Sequence, residues 1–251
     1  MKVELYQEMS ELESHHWWFG ARREIIVSLI NRYIAPNAKV LDVGCGTGFV
    51  LEKLQKLGYE GWEVDSSKVA VGLCEQRGLT TVTKGILGSN LSQLSEKSFD
   101  MITFLDVIEH IAQDLELLST AKQYLKSEGL ILITVPAYQF LWSSHDQAHG
   151  HKRCYKKSQV VELCQQAGYE VIFASYFNTF LFPLVAIARL AGNFRKYLKK
   201  AENGSDAKPA PIWLNGLLEK VFRSEQYLLP IFFFTLLGVN YLCGKNCKLN
   251  L

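Results

Sequence analysis

Between residues 39 and 135 the apolar positions fall into short, nearly unbroken runs separated by amphipathic stretches. Runs such as Met101-Ile102-Thr103-Phe104-Leu105 and Leu130-Ile131-Leu132-Ile133-Thr134-Val135 show little polar alternation, as expected of strands buried on both faces. The pattern predicts strands at 39–43, 60–64, 80–83, 98–105 and 130–135, with helices at 49–57, 67–77 and 112–125 between them. Strands alternating with helices in this order specify a parallel sheet with helices on both faces, the doubly wound α/β class. Pro36 and Asn37 punctuate the chain before the first strand, and Pro136 ends the fifth.

Upstream, 11–33 reads as one helix carrying an aromatic and basic cluster. Downstream, 157–167 reads as a helix stopped by Gly168, and 169–176 as a strand. Past residue 179 the alternation breaks. An amphipathic helix with a basic end is expected at 180–200, a flexible polar loop at 202–211 and a further helix at 212–229. The apolar run 227–243 is at the short edge of a membrane span, which takes about 17–25 residues. Pro230, Gly238 and Asn240 interrupt it, and its Phe, Val, Tyr and Thr favour a buried strand that closes a seven-stranded sheet. One domain is expected: a helical cap at 1–36, a core at 37–179, a helical insertion at 180–235, and a final strand and tail at 236–251.

Composition narrows the partners. The 251 residues, 48% of them hydrophobic, can bury one sizeable core. A formal net charge of +2 gives no case for a concentrated basic face, so nucleic acid is not an expected partner. Cys45, Cys74, Cys154, Cys164, Cys243 and Cys247 lack the paired spacing of a metal finger and read as reduced thiols. The stretch 1–16 is polar and acidic without an apolar leader region, so a cytoplasmic protein is expected.

Three motifs carry chemistry. The first is Val40-Leu41-Asp42-Val43-Gly44-Cys45-Gly46-Thr47-Gly48, an apolar strand running into a glycine turn that opens a helix. Such a turn lets backbone approach a ligand and offers free N–H groups to an anion. The spacing is GxGxG, and Phe49 stands where a dinucleotide fingerprint has its third glycine, which disfavours pyrophosphate. Asp42, just before the turn, suits a cationic amine or sulfonium. The second motif is Asp65 at the end of strand two, placed to accept hydrogen bonds from ribose hydroxyls; Asp65 or Ser66 can also serve as a helix N-cap. The third runs from Phe99 to His110, a strand entering a loop at the carboxyl edge of the sheet.

Together these motifs resemble class I S-adenosylmethionine-dependent methyltransferases, a Rossmann-like family, over roughly residues 40–136. The resemblance implies S-adenosylmethionine as cofactor. Gly44, Gly46 and Gly48, with Cys45 and Thr47 between them, would cradle its methionine part. Asp65, beside Ser66, would hold its ribose, and Leu105 and Asp106 would line its pocket. Two departures stand out. Lys84-Gly85-Ile86-Leu87 occupies the place of the family's adenine-binding acid, which leaves adenine to backbone and apolar contacts. Ser127-Glu128-Gly129 replaces the usual Pro-Gly-Gly before strand five. A narrower similarity, to a mostly uncharacterised bacterial branch of small-molecule methyltransferases, rests on His16-Trp17-Trp18-Phe19 with Arg22-Arg23, and on Trp142-Ser143-Ser144-His145-Asp146 running to His151-Lys152-Arg153-Cys154-Tyr155.

The expected reaction is in-line attack of a small-molecule or lipid-linked acceptor on the cofactor methyl, with the protein supplying position and exclusion of water. His110, His145, His149 and His151 are the candidates for orienting the acceptor or taking its proton, or for bracing the loop. His145, Asp146, His149 and His151 match no zinc signature, and no metal is expected. Arg22 or Arg23 would pair with the cofactor carboxylate, or lie on a solvated face. Trp17 and Trp18 would form a lid or pack in the core. The insertion would cap the acceptor site, or touch a membrane surface through apolar residues beside Arg189, Arg195, Lys196, Lys199 and Lys200. No Asn/Asp-Pro-Pro-Tyr motif follows strand four, which argues against base methylation in nucleic acid. The rival readings are a nicotinamide-dependent oxidoreductase and a non-catalytic module that keeps the cofactor fold.

Overall fold

The computed structural model describes residues 3–89, 91, 93–142, 144–187, 211–229 and 239–244; for 3, 141, 144, 145, 148 and 239–244 it describes the backbone. The strands are β1 (Lys39–Val43), β2 (Glu60–Asp65), β3 (Val82–Lys84), β4 (Phe99–Leu105), β5 (Leu125–Val135), β6 (Glu170–Tyr176) and β7 (Val239–Gly244). Their order is β3-β2-β1-β4-β5-β7-β6. Pairings from β3 through β5 are parallel, and β7 is antiparallel to both neighbours. The order reverses between β1 and β4, so their carboxyl ends open a crevice there, where such sheets bind ligands.

Alternate residues feed opposite faces of the sheet. Leu41, Val43, Ile102, Phe104, Ile131 and Ile133 point to the face covered by α5 (Asp114–Tyr124) and α7 (Lys157–Gln166). Val40, Met101, Leu130 and Leu132 point to the other, where Ile25, Ile26 and Ile30 of α2 (Trp17–Tyr33) and Phe222 of α9 (Ile212–Arg223) cover them. Burial of each such side chain contributes about 1.5–3 kcal/mol. The parallel α/β core is as the sequence pattern predicts.

Several boundaries differ, each for a local reason. The helix expected at 11–33 is two helices, α1 (Val3–His15) and α2, broken at His16. His16 is extended (φ −85°, ψ 131°), and its ring accepts from the Trp18 N–H, capping α2. Asn215 of α9 holds the break: its carbonyl accepts from Trp17 N at 2.9 Å, and its amide donates to His15 O at 2.8 Å. Strand β5 starts at Leu125, because Leu125 pairs with Phe99 before a register shift to Leu130 opposite Met101. Its polar 126–129 stretch conceals that start in the hydrophobic pattern. Strand β3 lies at 82–84, two residues later than the apolar pattern suggests. The segment after β5 folds into a 3-10 turn, Gln139–Leu141, and the short helix α6 (Ser144–His149).

Helix α8 is described over residues 182–187; the rest of the helix expected at 180–200, and the loop expected at 202–211 except Pro211, lie outside the described residues. The helix expected at 212–229 divides into α9 and a 3-10 turn, Ser224–Tyr227. Of the final apolar run, 230–238 lies outside the described residues, and β7 contains 239–243. Among the described residues, no helix is long and apolar enough to cross a membrane.

Candidate active site

The carboxyl ends of β1, β2 and β4 open into one cavity of about 560 Å³, within the size range of small-molecule sites. Gly44, Gly46 and Gly48 all take positive φ, at 74°, 59° and 78°. Gly44 N donates to Val64 O at 2.7 Å, tying the turn to β2. A Cβ on Gly44 would meet Val107 Cγ2 at 2.7 Å, whereas one on Gly46 would meet nothing within 4 Å. Gly46 therefore presents bare backbone to open space on the cavity wall. Gly48 caps α3 (Phe49–Lys56) and, like Thr47, lies off that wall. Thr47 is buried, and its hydroxyl donates to the Glu13 carboxylate.

Asp65 reaches the same turn. Its Oδ2 accepts from Gly46 N at 3.1 Å and its Oδ1 from Ser67 N at 2.8 Å. Burial raises its pKa, and those two N–H groups oppose the rise. Ser67, rather than Asp65 or Ser66, is the N-cap of α4 (Lys68–Gln76), because its hydroxyl accepts from Ala70 N. Ser66 lines the cavity, followed by Gly85, Ile86 and Leu87 after β3. Asp42 is buried and accepts from Thr103 Oγ1 at 2.6 Å. Burial pushes its pKa up to about 7. Cys45 Sγ lies 3.7 Å from Cys74 Sγ, and that contact together with burial pushes the Cys45 thiol up.

At the end of β4, Leu105 and Asp106 line the cavity. Asp106 has φ 59° and is held by Arg22, whose NH2 lies 2.8 Å from Asp106 Oδ2 and donates to Thr134 Oγ1 at 2.9 Å. Arg22 is on the cavity wall. Arg23 turns away, donating to Glu13 O at 3.3 Å. Trp18 lines the cavity with Arg22 above its ring, and Trp17 packs against Phe222. Seven carboxyl groups and one guanidinium line the cavity (Glu8, Glu13, Asp42, Asp65, Asp106, Glu109 and Asp146 against Arg22); Arg22 pairs with Asp106, and burial raises the pKa of Glu13, Asp42, Asp65 and Glu109.

The other end of the cavity carries the histidines. Glu109 and His110 sit on a 3-10 turn, Ile108–His110, and the loop after α6 is hydrogen-bonded onto it by Lys152 N to Glu109 O at 2.9 Å. His110 Nδ1 lies 3.2 Å from Gly150 O, and His151 Nδ1 lies 3.1 Å from Asp146 Oδ1. The His110 and His151 rings are 4.8 Å apart, and His149 and His151 are 6.2 Å apart. Burial and the neighbouring His151 hold His110 below the usual imidazole pKa. The structure thus brings His110, His149 and His151 onto one wall. His145 is in α6, and its side chain lies outside what the structure describes.

Two groups of wall residues are missed by sequence reasoning. Glu109 stands inside the third motif, overshadowed by the titratable His110 beside it. Its carboxyl is fully buried, and burial pushes its pKa well up. Helix α1 closes one side with Tyr6, Met9, Leu12 and Glu13. Their three- and four-residue spacing is the available signal, diluted by the polar residues between them.

The wall fits S-adenosylmethionine. Gly46 offers open space over bare backbone, Asp65 stands beside it with lone pairs to spare, Ile86 and Leu87 give an apolar surface, and the carboxyl-rich lining offers hydrogen-bond acceptors to an amine. The family model for the methyltransferase domain matches residues 18–173. A ubiquinone biosynthesis O-methyltransferase of Haemophilus ducreyi is 25% identical over 197 residues, 65% of this chain and 84% of that protein. A solved SAM-dependent methyltransferase of Archaeoglobus fulgidus shares the fold at TM-score 0.57 and 19% identity, covering 89% of this chain and 94% of that one. Phosphoethanolamine N-methyltransferase 2 of Haemonchus contortus, solved with S-adenosyl-L-methionine, does so at TM-score 0.55 and 18% identity, covering 88% and 52%. The nicotinamide and non-catalytic readings drop out, and the chain belongs to the methyltransferase-domain family as a class I S-adenosylmethionine-dependent enzyme.

Proposed function

We propose that this enzyme methylates an oxygen of a small-molecule or lipid-linked acceptor held at the histidine end of the cavity. The observation that carries the reading is continuity: Gly46 and Asp65 share one cavity with His110, His149 and His151. The acceptor and the cofactor can therefore meet without solvent between them. The name of the Haemophilus relative, an O-methyltransferase, supports oxygen as the attacking atom.

When bound, S-adenosylmethionine supplies an electrophilic methyl on a positively charged sulfur. The chain's own residues do the rest. Asp65 holds the ribose hydroxyls, and the Gly44–Gly46 turn lies along the methionine part. Arg22 keeps Asp106 in its left-handed conformation at the junction of the two halves. Helix α1 and Trp18 form one wall of the cavity. His149 takes the acceptor proton, and the His110–His151 pair orients the acceptor; a positioned general base contributes about 10²–10⁴-fold. Single-turnover assays over phenolic, enolic and lipid-linked hydroxyl compounds test the reading. It predicts transfer to oxygen that falls in His149→Ala while cofactor affinity holds; transfer to nitrogen alone contradicts it.

A lipid-linked acceptor is favoured by a second observation. Ile212 and Trp213 of α9 are 92% and 72% exposed, and Leu184 and Ile187 of α8 are also exposed. The intervening sequence carries Arg195, Lys196, Lys199 and Lys200, the mixture that binds anionic lipid surfaces. Cosedimentation with anionic vesicles, lost in Trp213→Ser, tests that contact; no cosedimentation of the parent chain refutes it.

A further inference from the structure

We propose that Glu109, His110 and His151 form a site for a divalent transition-metal ion of the zinc class, in the acceptor half of the cavity.

One ligand atom from each of the three lies within 4.8 Å of the other two. Glu109 is 0% exposed and on the cavity wall, and neither of its carboxylate oxygens has a hydrogen-bond partner in another described residue. A buried carboxyl group left so is costly unless something binds it. The histidines are held from behind. Nδ1 of His110 faces the Gly150 carbonyl and Nδ1 of His151 faces the Asp146 carboxylate. The tautomer that satisfies both acceptors puts a hydrogen on each Nδ1 and the lone pair on each Nε2. Metal-binding histidines are oriented in this way by a carbonyl or carboxylate behind the ring.

The donor set favours a first-row transition metal over magnesium or calcium. Two imidazoles and one carboxylate match zinc sites that keep a fourth position for water or substrate. Magnesium and calcium prefer all-oxygen shells. Linear spacing hides the set, because 40 residues separate His110 from Gly150 and the loop returns only in the fold.

An ion there would take the acceptor oxygen as its fourth ligand and lower the pKa of that hydroxyl, leaving the proton to His149. This catalytic use rests on the acceptor reading proposed above; binding of the ion does not.

The test is titration of Co²⁺ and Zn²⁺ into the chelator-treated full chain, read by visible absorption and calorimetry with no acceptor present. One ion per chain is expected. Glu109→Gln and His151→Ala should abolish binding, and Asp146→Asn should weaken it by about 10- to 100-fold. Thermal melting of each variant verifies that it is folded, and Cys74→Ser should bind as the parent does. A folded parent that takes up no ion overturns the proposal. So do folded Glu109→Gln and His151→Ala variants that bind normally. A thiolate-to-cobalt charge-transfer band also overturns it, because it would place the ion at Cys45 and Cys74. If acceptor assays fail, these titrations still stand, so the two claims fail separately.

Discussion

The backbone N–H of Gly46 donates to Oδ2 of Asp65 at 3.1 Å, joining the glycine turn after β1 to the carboxyl end of β2. The two features most suggestive of a nucleoside cofactor are thus in direct contact. They are 19 residues apart in sequence and meet because β1 and β2 are parallel neighbours with Val43 opposite Val64.

The turn glycines should separate by phenotype. Both Gly44 and Gly46 have positive φ, where a side chain costs about 1–2 kcal/mol. Gly44→Ala also drives a Cβ into Val107, while Gly46→Ala enters open cavity. Gly44→Ala is expected to lower Tm more, and Gly46→Ala to weaken cofactor binding at smaller cost in Tm. Paired melting and calorimetry on the two variants check this; the reverse order would show that the open face of the turn is not the ligand face.

Glu63 gives a pH signature. It is fully buried, and burial with the nearby Asp42 pushes its pKa up to about 8, against the Cys74 thiol, which pulls it down. A carboxyl group raised on folding binds a proton in the native state that the unfolded chain has released. Its contribution is therefore fully present below pH 4.5 and is lost as pH rises toward 8. Glu63→Gln should leave stability nearly unchanged near pH 5 and raise it progressively toward pH 8, by an amount on the order of a few kcal/mol, read as a growing difference in Tm. A Tm difference that is flat with pH would show that Glu63 is charged and compensated in the fold.

The cap is held by Phe222, which is fully buried, stacks on Phe177 at 5.8 Å and meets Trp17 edge-on at 6.1 Å. Phe222→Ala should cost about 3–5 kcal/mol and lower Tm by roughly 10 °C. A loss of Tm below about 2 °C would mean that α9 contributes little to the domain's stability.

The sheet and the meeting of the glycine turn with Asp65 were legible because both follow local rules. Uninterrupted apolar runs mark strands buried on both faces, and a glycine turn with an acid one βαβ step later marks a nucleoside slot. Boundaries failed where a polar group did structural work. The His16 ring caps a helix that hydrophobic periodicity would continue, and polar 126–129 conceals the start of β5. The acceptor half was legible as a set of residue types without an arrangement. Whether His110 meets His151 depends on a loop return that no spacing encodes, and Glu109 matters through its burial, a tertiary property.

The most direct test of the cofactor site is calorimetric titration of S-adenosylmethionine into the chain and into Asp65→Asn, with melting curves to verify that both are folded. Replacing a charged acceptor of hydrogen bonds costs about 1.5–3 kcal/mol. One cofactor should bind per parent chain, with affinity about 10- to 100-fold weaker in the variant. Equal affinity in a folded Asp65→Asn, or binding of NAD in place of S-adenosylmethionine by the parent, would contradict it.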